Sequence, residues 1–287
     1  MVENSEGLAI DPDVNLSILF TEMPLLARPA AAAACGFDAV ELWWPFTSAT
    51  PGDRELDDLS EALGEAGVRV VGLNFDAGDM AAGSRGLVSL PGEERRFRDS
   101  VDTATAWAQR VGCRAFNALY GNRIQGADHR AQDELALENL AYAAQAAARI
   151  GATILIETQN PADSPDYPLT RAAEAIAVIN QVRQRTNAEN VALLADLYHL
   201  HRAGEDLVAT VTAYGPSIGH VQVADDPGRH QPGTGVIEFD PVFAALAGAG
   251  YGGYVGLEYR PLGRSAESFD WLPLEQRRTS ARNEVAP

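Results

Sequence analysis

Four apolar runs in the second half of the chain carry an oxygen-bearing side chain at or next to their end: Glu157 in ATILIE, Asp196 in VALLAD, Gln222 in IGHVQV and Glu258 in YVGLEY. Their separations of 39, 26 and 36 residues each leave room for one helix and one returning strand. Four successive strands of a parallel barrel would then each deliver one group to the same mouth, where the loops at the carboxyl ends converge. Three carboxylates buried together repel one another unless a cation or protons intervene, and a divalent ion resolves the conflict. With Gln222 offering its amide oxygen the set is all oxygen, which selects a hard ion such as Mg²⁺ or Mn²⁺ over zinc. Any one of these acids alone reads as well as a loop cap or an arginine partner; four at equivalent strand ends read as one metal site.

Polar neighbours extend the set. His199 follows Asp196 by three residues in DLYH, and His220 precedes Gln222 by two, so on a strand it faces the same side as Gln222. Both histidines are expected to bind substrate or to hold a ligand in place. Arg229 and His230, in the loop DDPGRHQPGTG after that strand, are further substrate-binding candidates, Arg229 as a fork for a carboxylate. Trp43, Trp44, Phe46 and Phe75 could wall a pocket, and the glycine-rich loop Gly78 to Gly86 could serve as a lid. No H-E-x-x-H, G-x-S-x-G or phosphate-loop pattern occurs, so nucleophilic serine and nucleotide chemistry find no support.

The elements that must position these groups recur regularly. NLSILF, DAVELWW, VRVVGLNF, RAFNALY, ATILIE, VALLAD, IGHVQV and YVGLEY read as eight short strands separated by seven helices. Glycine falls where helices should stop, in EAGVRV, RVGCRA, RIGATI and GAGYGG. That alternation predicts right-handed βαβ units and a single-domain (β/α)8 TIM barrel over residues 14–287. The last helix is expected to be short or degraded, since few apolar residues follow Pro261, and residues 1–13 are expected to be a flexible extension.

Composition bounds the partners. With 22 basic against 40 acidic residues the net charge is −18, which repels nucleic acid and anionic lipid at long range. A small anionic substrate then needs a local positive source, such as a bound cation with Arg229. The acidic start MVENSEGLAIDPD and the lack of a long apolar run predict a cytoplasmic protein with no membrane contact. Cys35 and Cys113, far apart and in no C-x-x-C spacing, read as core thiols.

The segments SILFTEMPLLARPAAAAACGFDAVELWWPF, LNFDAGDMAAGSRGLVSLPG, LADLYH, IGHVQVADDPGRHQPGTG and YVGLEY together resemble the hydroxypyruvate isomerase family, within the xylose-isomerase-like barrels. The likeness spans roughly Asn15 to Pro261. It implies interconversion of hydroxypyruvate and tartronate semialdehyde (2-hydroxy-3-oxopropanoate), catalytic glutamates at Glu157 and Glu258, metal positions at those two with Asp196 and Gln222, and a homo-oligomer. The sequence departs from the family pattern at Thr158, Gln231 and Val236, in loops expected to face the substrate. Rival readings are a 2-oxo-tetronate, ketose or inosose isomerase or epimerase on the same barrel, and a metabolite-binding barrel without catalysis. A nuclease at abasic sites would want a basic face and more histidine than the 5 present.

Overall fold

The computed structural model describes residues 10–279. Eight parallel strands close into a barrel in chain order: β1 (Asp11–Asn15), β2 (Ala39–Leu42), β3 (Arg69–Asn74), β4 (Ala115–Asn117), β5 (Thr153–Glu157), β6 (Val191–Asp196), β7 (Ile218–Val223) and β8 (Tyr254–Leu257). Pairing of β1 with β8, from Asp11↔Tyr254 to Val14↔Leu257, completes the ring. Outside it lie α1 (Arg28–Ala34), α2 (Asp53–Ala66), α3 (Glu94–Val111), α4 (His129–Ala148), α5 (Ala172–Thr186), α6 (Leu197–Arg202), α7 (Leu207–Tyr214) and α8 (Phe239–Gly248). The helices turn an apolar stripe inward: on α3, Phe97, Val101, Ala104, Trp107 and Ala108 repeat at helical spacing and are all buried. The four glycine stops are found as expected, with left-handed φ of 66° at Gly67, 79° at Gly112, 66° at Gly151 and 76° at Gly250.

Three details differ from the sequence expectation. The first strand is DPDVN rather than NLSILF, and Leu16–Phe20 lie in the turns that follow. The alternation is inverted there, because β1 sends Asp13 and Asn15 into a charged interior instead of apolar side chains. Residues 11–13 therefore belong to the barrel, and the rest of the expected extension, residues 1–9, lies outside the described residues. Two helices, α6 and α7, stand where one was expected between β6 and β7.

After β8 only short 3-10 turns, Ser265–Glu267 and Leu274–Gln276, occur among the described residues, as the degraded last helix predicts. Phe269 takes that helix's place against the barrel, with ring centroids 4.8 Å from Phe37 and 5.9 Å from Phe20. Inside the ring, Ala115, Leu155, Ala192 and Leu194 form a small apolar floor under β4 to β6. No helix among the described residues is long and apolar enough to cross a membrane.

Candidate active site

Glu157 ends β5, buried, and its two oxygens are claimed by amides: Asn117 Nδ2 donates to Oε2 at 2.6 Å, and Gln159 Nε2 donates to Oε1. Burial, and then the charges of Glu258 and Asp196, push its carboxyl well above the usual carboxylate range. Glu258 follows β8; its Oε1 accepts from the Trp43 indole at 2.6 Å and from Asn15 Nδ2 at 3.0 Å, and its Oε2 meets Arg229. Burial raises Glu258 to about 8 against the pull of Arg229, with Asp196 and Glu41 adding to the rise. Asp196 closes β6 and caps α6, its Oδ1 accepting from Tyr198 N at 2.9 Å and His199 N at 3.1 Å. That cap fixes the aspartate and leaves Oδ2 for the site.

The same cap aims His199. From α6 its Nδ1 accepts the backbone N–H of Asn160 at 3.1 Å, which forces the ring proton onto Nε2. Nε2 lies 3.6 Å from Asp196 Oδ2 and 3.9 Å from Glu157 Oε1, with no hydrogen-bond partner. Burial and then Arg229 hold its pKa well below the ordinary value. His199 is thus a neutral N–H donor whose Nε2 meets no acceptor among the described residues.

The remaining histidines and Arg229 sit differently from expectation. The Arg229 guanidinium is turned onto the protein's own carboxylates, Glu258 and, at 3.3 Å, Asp196, so in this structure it is the counter-charge of the acids rather than a free fork for substrate. His220 lies one layer below the mouth and does not reach the cavity. Its Nε2 is 2.8 Å from Glu41 Oε2 and 3.8 Å from Asp13 Oδ2, because a residue two positions before a strand end lies deeper in the barrel. His230 points away as well, with Nδ1 2.8 Å from the carbonyl of Arg260; it fastens the β7 loop to the β8 loop.

Sequence reasoning missed Glu41, at the end of β2, and Asp225. Glu41 accepts from Asn15 Nδ2 at 2.9 Å and Gln222 Nε2 at 2.7 Å. Burial opposes its charge, and His220 with those amides outweighs burial, leaving it below the ordinary value. Strand backbones make room for it at Gly72 and Gly256, where an added Cβ would stand 3.1 and 2.7 Å from a Glu41 carboxylate oxygen. DAVELWW shows the same acid at a strand end as ATILIE, so the signal for Glu41 was present. Asp225 folds the DDPGRHQPGTG loop by accepting from the backbone of Gly233, Gly235 and Ile237 at 2.8–3.0 Å.

A cavity of about 570 Å³ opens above the acids, with Glu157, Glu258, His199 and Arg229 in its floor and wall. Arg85, Arg202 and Arg260 stand around it, a local positive rim on an acidic chain. Arg85 is tied to Ser164 and to the Met80 carbonyl, and Arg202 to Asp226, whereas Arg260 has no side-chain partner among the described residues. Trp43 forms part of the wall; Phe75 is instead core, stacked on Phe116 with centroids 5.0 Å apart. The Gly78–Gly86 loop contributes Met80 and Arg85 to the cavity and is fastened by Ser84 Oγ to the Ala77 carbonyl. None of the three departures from the family pattern lines the cavity. Thr158 is buried behind β5, Gln231 accepts from Leu262 N at 3.0 Å, and Val236 is 65% exposed on the surface.

Two groups of acids and histidine lie close enough to hold an ion, Glu157 with Asp196 and His199, and Asp13 with Glu41 and His220. The protonated Nε2 removes His199 from the first as a ligand. Gln222, level with Asp196 on the neighbouring strand, offers an oxygen instead: its Oε1 is buried without a partner while Nε2 is engaged by Glu41. The oxygen donors Glu157, Asp196, Gln222 and Glu258 fit a hard divalent ion.

The sequence profile described as xylose isomerase-like TIM barrel matches residues 29–274. The chain belongs to that family. Among its relatives, a putative hydroxypyruvate isomerase of Streptomyces coelicolor is 55% identical over 91% of this chain and 95% of its own. A 2-oxo-tetronate isomerase of Cupriavidus necator is 36% identical over 90% of this chain and 95% of its own. A solved structure described as AP endonuclease, family 2, from Brucella melitensis superimposes with a TM-score of 0.82 at 35% identity, covering 91% of this chain and 97% of the other.

Proposed function

We propose that this chain is an isomerase that moves a carbonyl between adjacent carbons of a short hydroxy-oxo acid, interconverting hydroxypyruvate and tartronate semialdehyde. The observation that carries the reading is the pair Glu157 and Glu258, both buried, both facing one cavity, and both raised by burial above the usual carboxylate range. One glutamate removes the proton at C3 beside the C2 carbonyl, giving an enediolate. A proton is returned at C2, and the hydroxyl proton passes from the C3 oxygen to the C2 oxygen. His199 Nε2–H donates to whichever oxygen is negative, and its neutral state keeps it from protonating the intermediate prematurely. Arg260, on the rim, takes the substrate carboxylate. Glu157, Asp196, Gln222 and Glu258 would hold Mg²⁺ or Mn²⁺, which supplies Lewis-acid stabilisation of charge on adjacent oxygens.

A 2-oxo-tetronate is the second reading, favoured by a cavity of about 570 Å³, roomy for a three-carbon acid. Nucleic acid we place outside the substrates, because a net charge of −18 repels a phosphate backbone at long range. Proton NMR in D₂O with each acid, Mn²⁺-free and Mg²⁺-supplied, decides between them. Deuterium entering C3 of hydroxypyruvate with growth of tartronate semialdehyde is the expected result. Exchange of the four-carbon acid alone would move the assignment to the second reading, and exchange of neither would end both.

A further inference from the structure

Gln222 is the one neutral member of the proposed ligand set, and its two amide ends are not interchangeable: only the oxygen can meet a hard cation, while the NH₂ would repel it. The ends are nearly equal in size, so packing cannot choose between them. Glu41 can. An ionised carboxylate only accepts, and it takes Gln222 Nε2 at 2.7 Å, which leaves Oε1 buried and unclaimed. Glu41 is itself immobilised, by His220 at 2.8 Å, by Asn15 at 2.9 Å and by the narrow space beside Gly72 and Gly256. Asn15 Nδ2 also reaches Glu258 Oε1 at 3.0 Å, tying a second ligand to the same anchor.

We infer that Glu41 is a positioning residue that fixes the flip of the Gln222 amide, oxygen toward the cation, and through Asn15 steadies Glu258. The inference rests on the metal reading given above. Its test is Mn²⁺ titration of the chelator-stripped full chain, followed by the electron paramagnetic resonance of free Mn²⁺, for four proteins: the natural sequence, Glu41→Leu, Gln222→Glu, and both together. Glu41→Leu should weaken Mn²⁺ on the order of 10–100-fold, the usual range for lost support of a metal ligand. In the Gln222→Glu background, where both ends of the side chain are oxygen, the same change should cost less than about threefold. The isosteric Glu41→Gln, which can donate or accept and so no longer dictates the flip, carries the same comparison should the leucine variant fail to fold. Equal losses in both backgrounds, or an unchanged affinity in folded Glu41→Leu, would overturn the inference while the metal reading stood. No saturable Mn²⁺ binding by the natural sequence would overturn both.

Discussion

Inside the barrel, acids and a histidine are brought together twice. Near the mouth are Glu157, Asp196 and Glu258 with His199; beneath them are Asp13 and Glu41 with His220. In the lower group burial disfavours a charged imidazole, yet Glu41 and Asp13 beside it raise His220 above its ordinary pKa, the direction that favours a positive charge within the group. Burial, and then Glu41, push Asp13 well above the carboxylate range, and His220 at 3.8 Å pulls it back. In the upper group the Asn160 N–H occupies the histidine's acceptor nitrogen, and burial with Arg229 keeps the ring neutral. The lower acids are balanced from within; the upper acids depend on a cation from elsewhere, Arg229 in this structure. The difference lies in the histidine: a neutral ring leaves the upper carboxylates without an internal counter-charge.

The sharpest break of that contrast is removal of a mouth carboxylate. Glu157→Gln and Glu258→Gln should each lower kcat on the order of 10²–10⁴-fold while thermal unfolding stays cooperative; turnover within tenfold of the natural protein in either would take the upper group out of catalysis. Next comes the lower group. His220→Leu strands the Glu41 charge and should cost about 3–5 kcal/mol in urea unfolding, whereas His199→Leu, which removes no charge, should cost much less. Equal losses would mean that the two histidines play the same part.

A smaller effect separates the groups by pH. Glu258 titrates near 8 in the fold against an ordinary 4.5. Below the lower value folded and unfolded chains both hold the proton; between the two only the folded chain does. Its contribution to stability is therefore full below pH ~4.5 and is lost as the pH rises through about 8. For metal-stripped protein, the melting temperature should fall by several degrees between those limits, and Glu258→Gln should flatten the profile. A profile equally steep in that variant would place the proton elsewhere. The least effect is expected at the rim, where Arg260→Ala should raise KM roughly tenfold with kcat held, the pattern of lost uniform binding; an unchanged KM would send the carboxylate to another arginine.

The barrel and the acids gathered at its mouth could be read from the chain because acids at the ends of apolar runs break a pattern that is otherwise regular, as at Glu157, Asp196 and Glu258. Asp13 and Glu41 were harder to see. Their surroundings are polar, so β1 shows no apolar alternation, and what makes them tolerable is a histidine 179 residues beyond Glu41. Depth was the other hidden quantity: His220 and Gln222 share a face, and only the assembled ring shows that the first lies under the second. The direction of Arg229 likewise depends on Glu258 and Asp196, groups remote in sequence. Loop positions were misjudged for a related reason, since Thr158 lies one residue from the glutamate that faces the cavity and points the opposite way.

The backbone left bare at Gly72 and Gly256 has a consequence for anyone re-aiming this barrel at longer substrates. The space beside the Glu41 carboxylate cannot also take a methyl group on β8 without something shifting. A side chain added at position 256 therefore requires residue 41 to yield, and the two positions can be enlarged only in exchange for one another. The same close fit recurs at the mouth, where a Cβ added at Gly228 would stand 2.5 Å from the His230 ring, so bulk cannot be added freely there either.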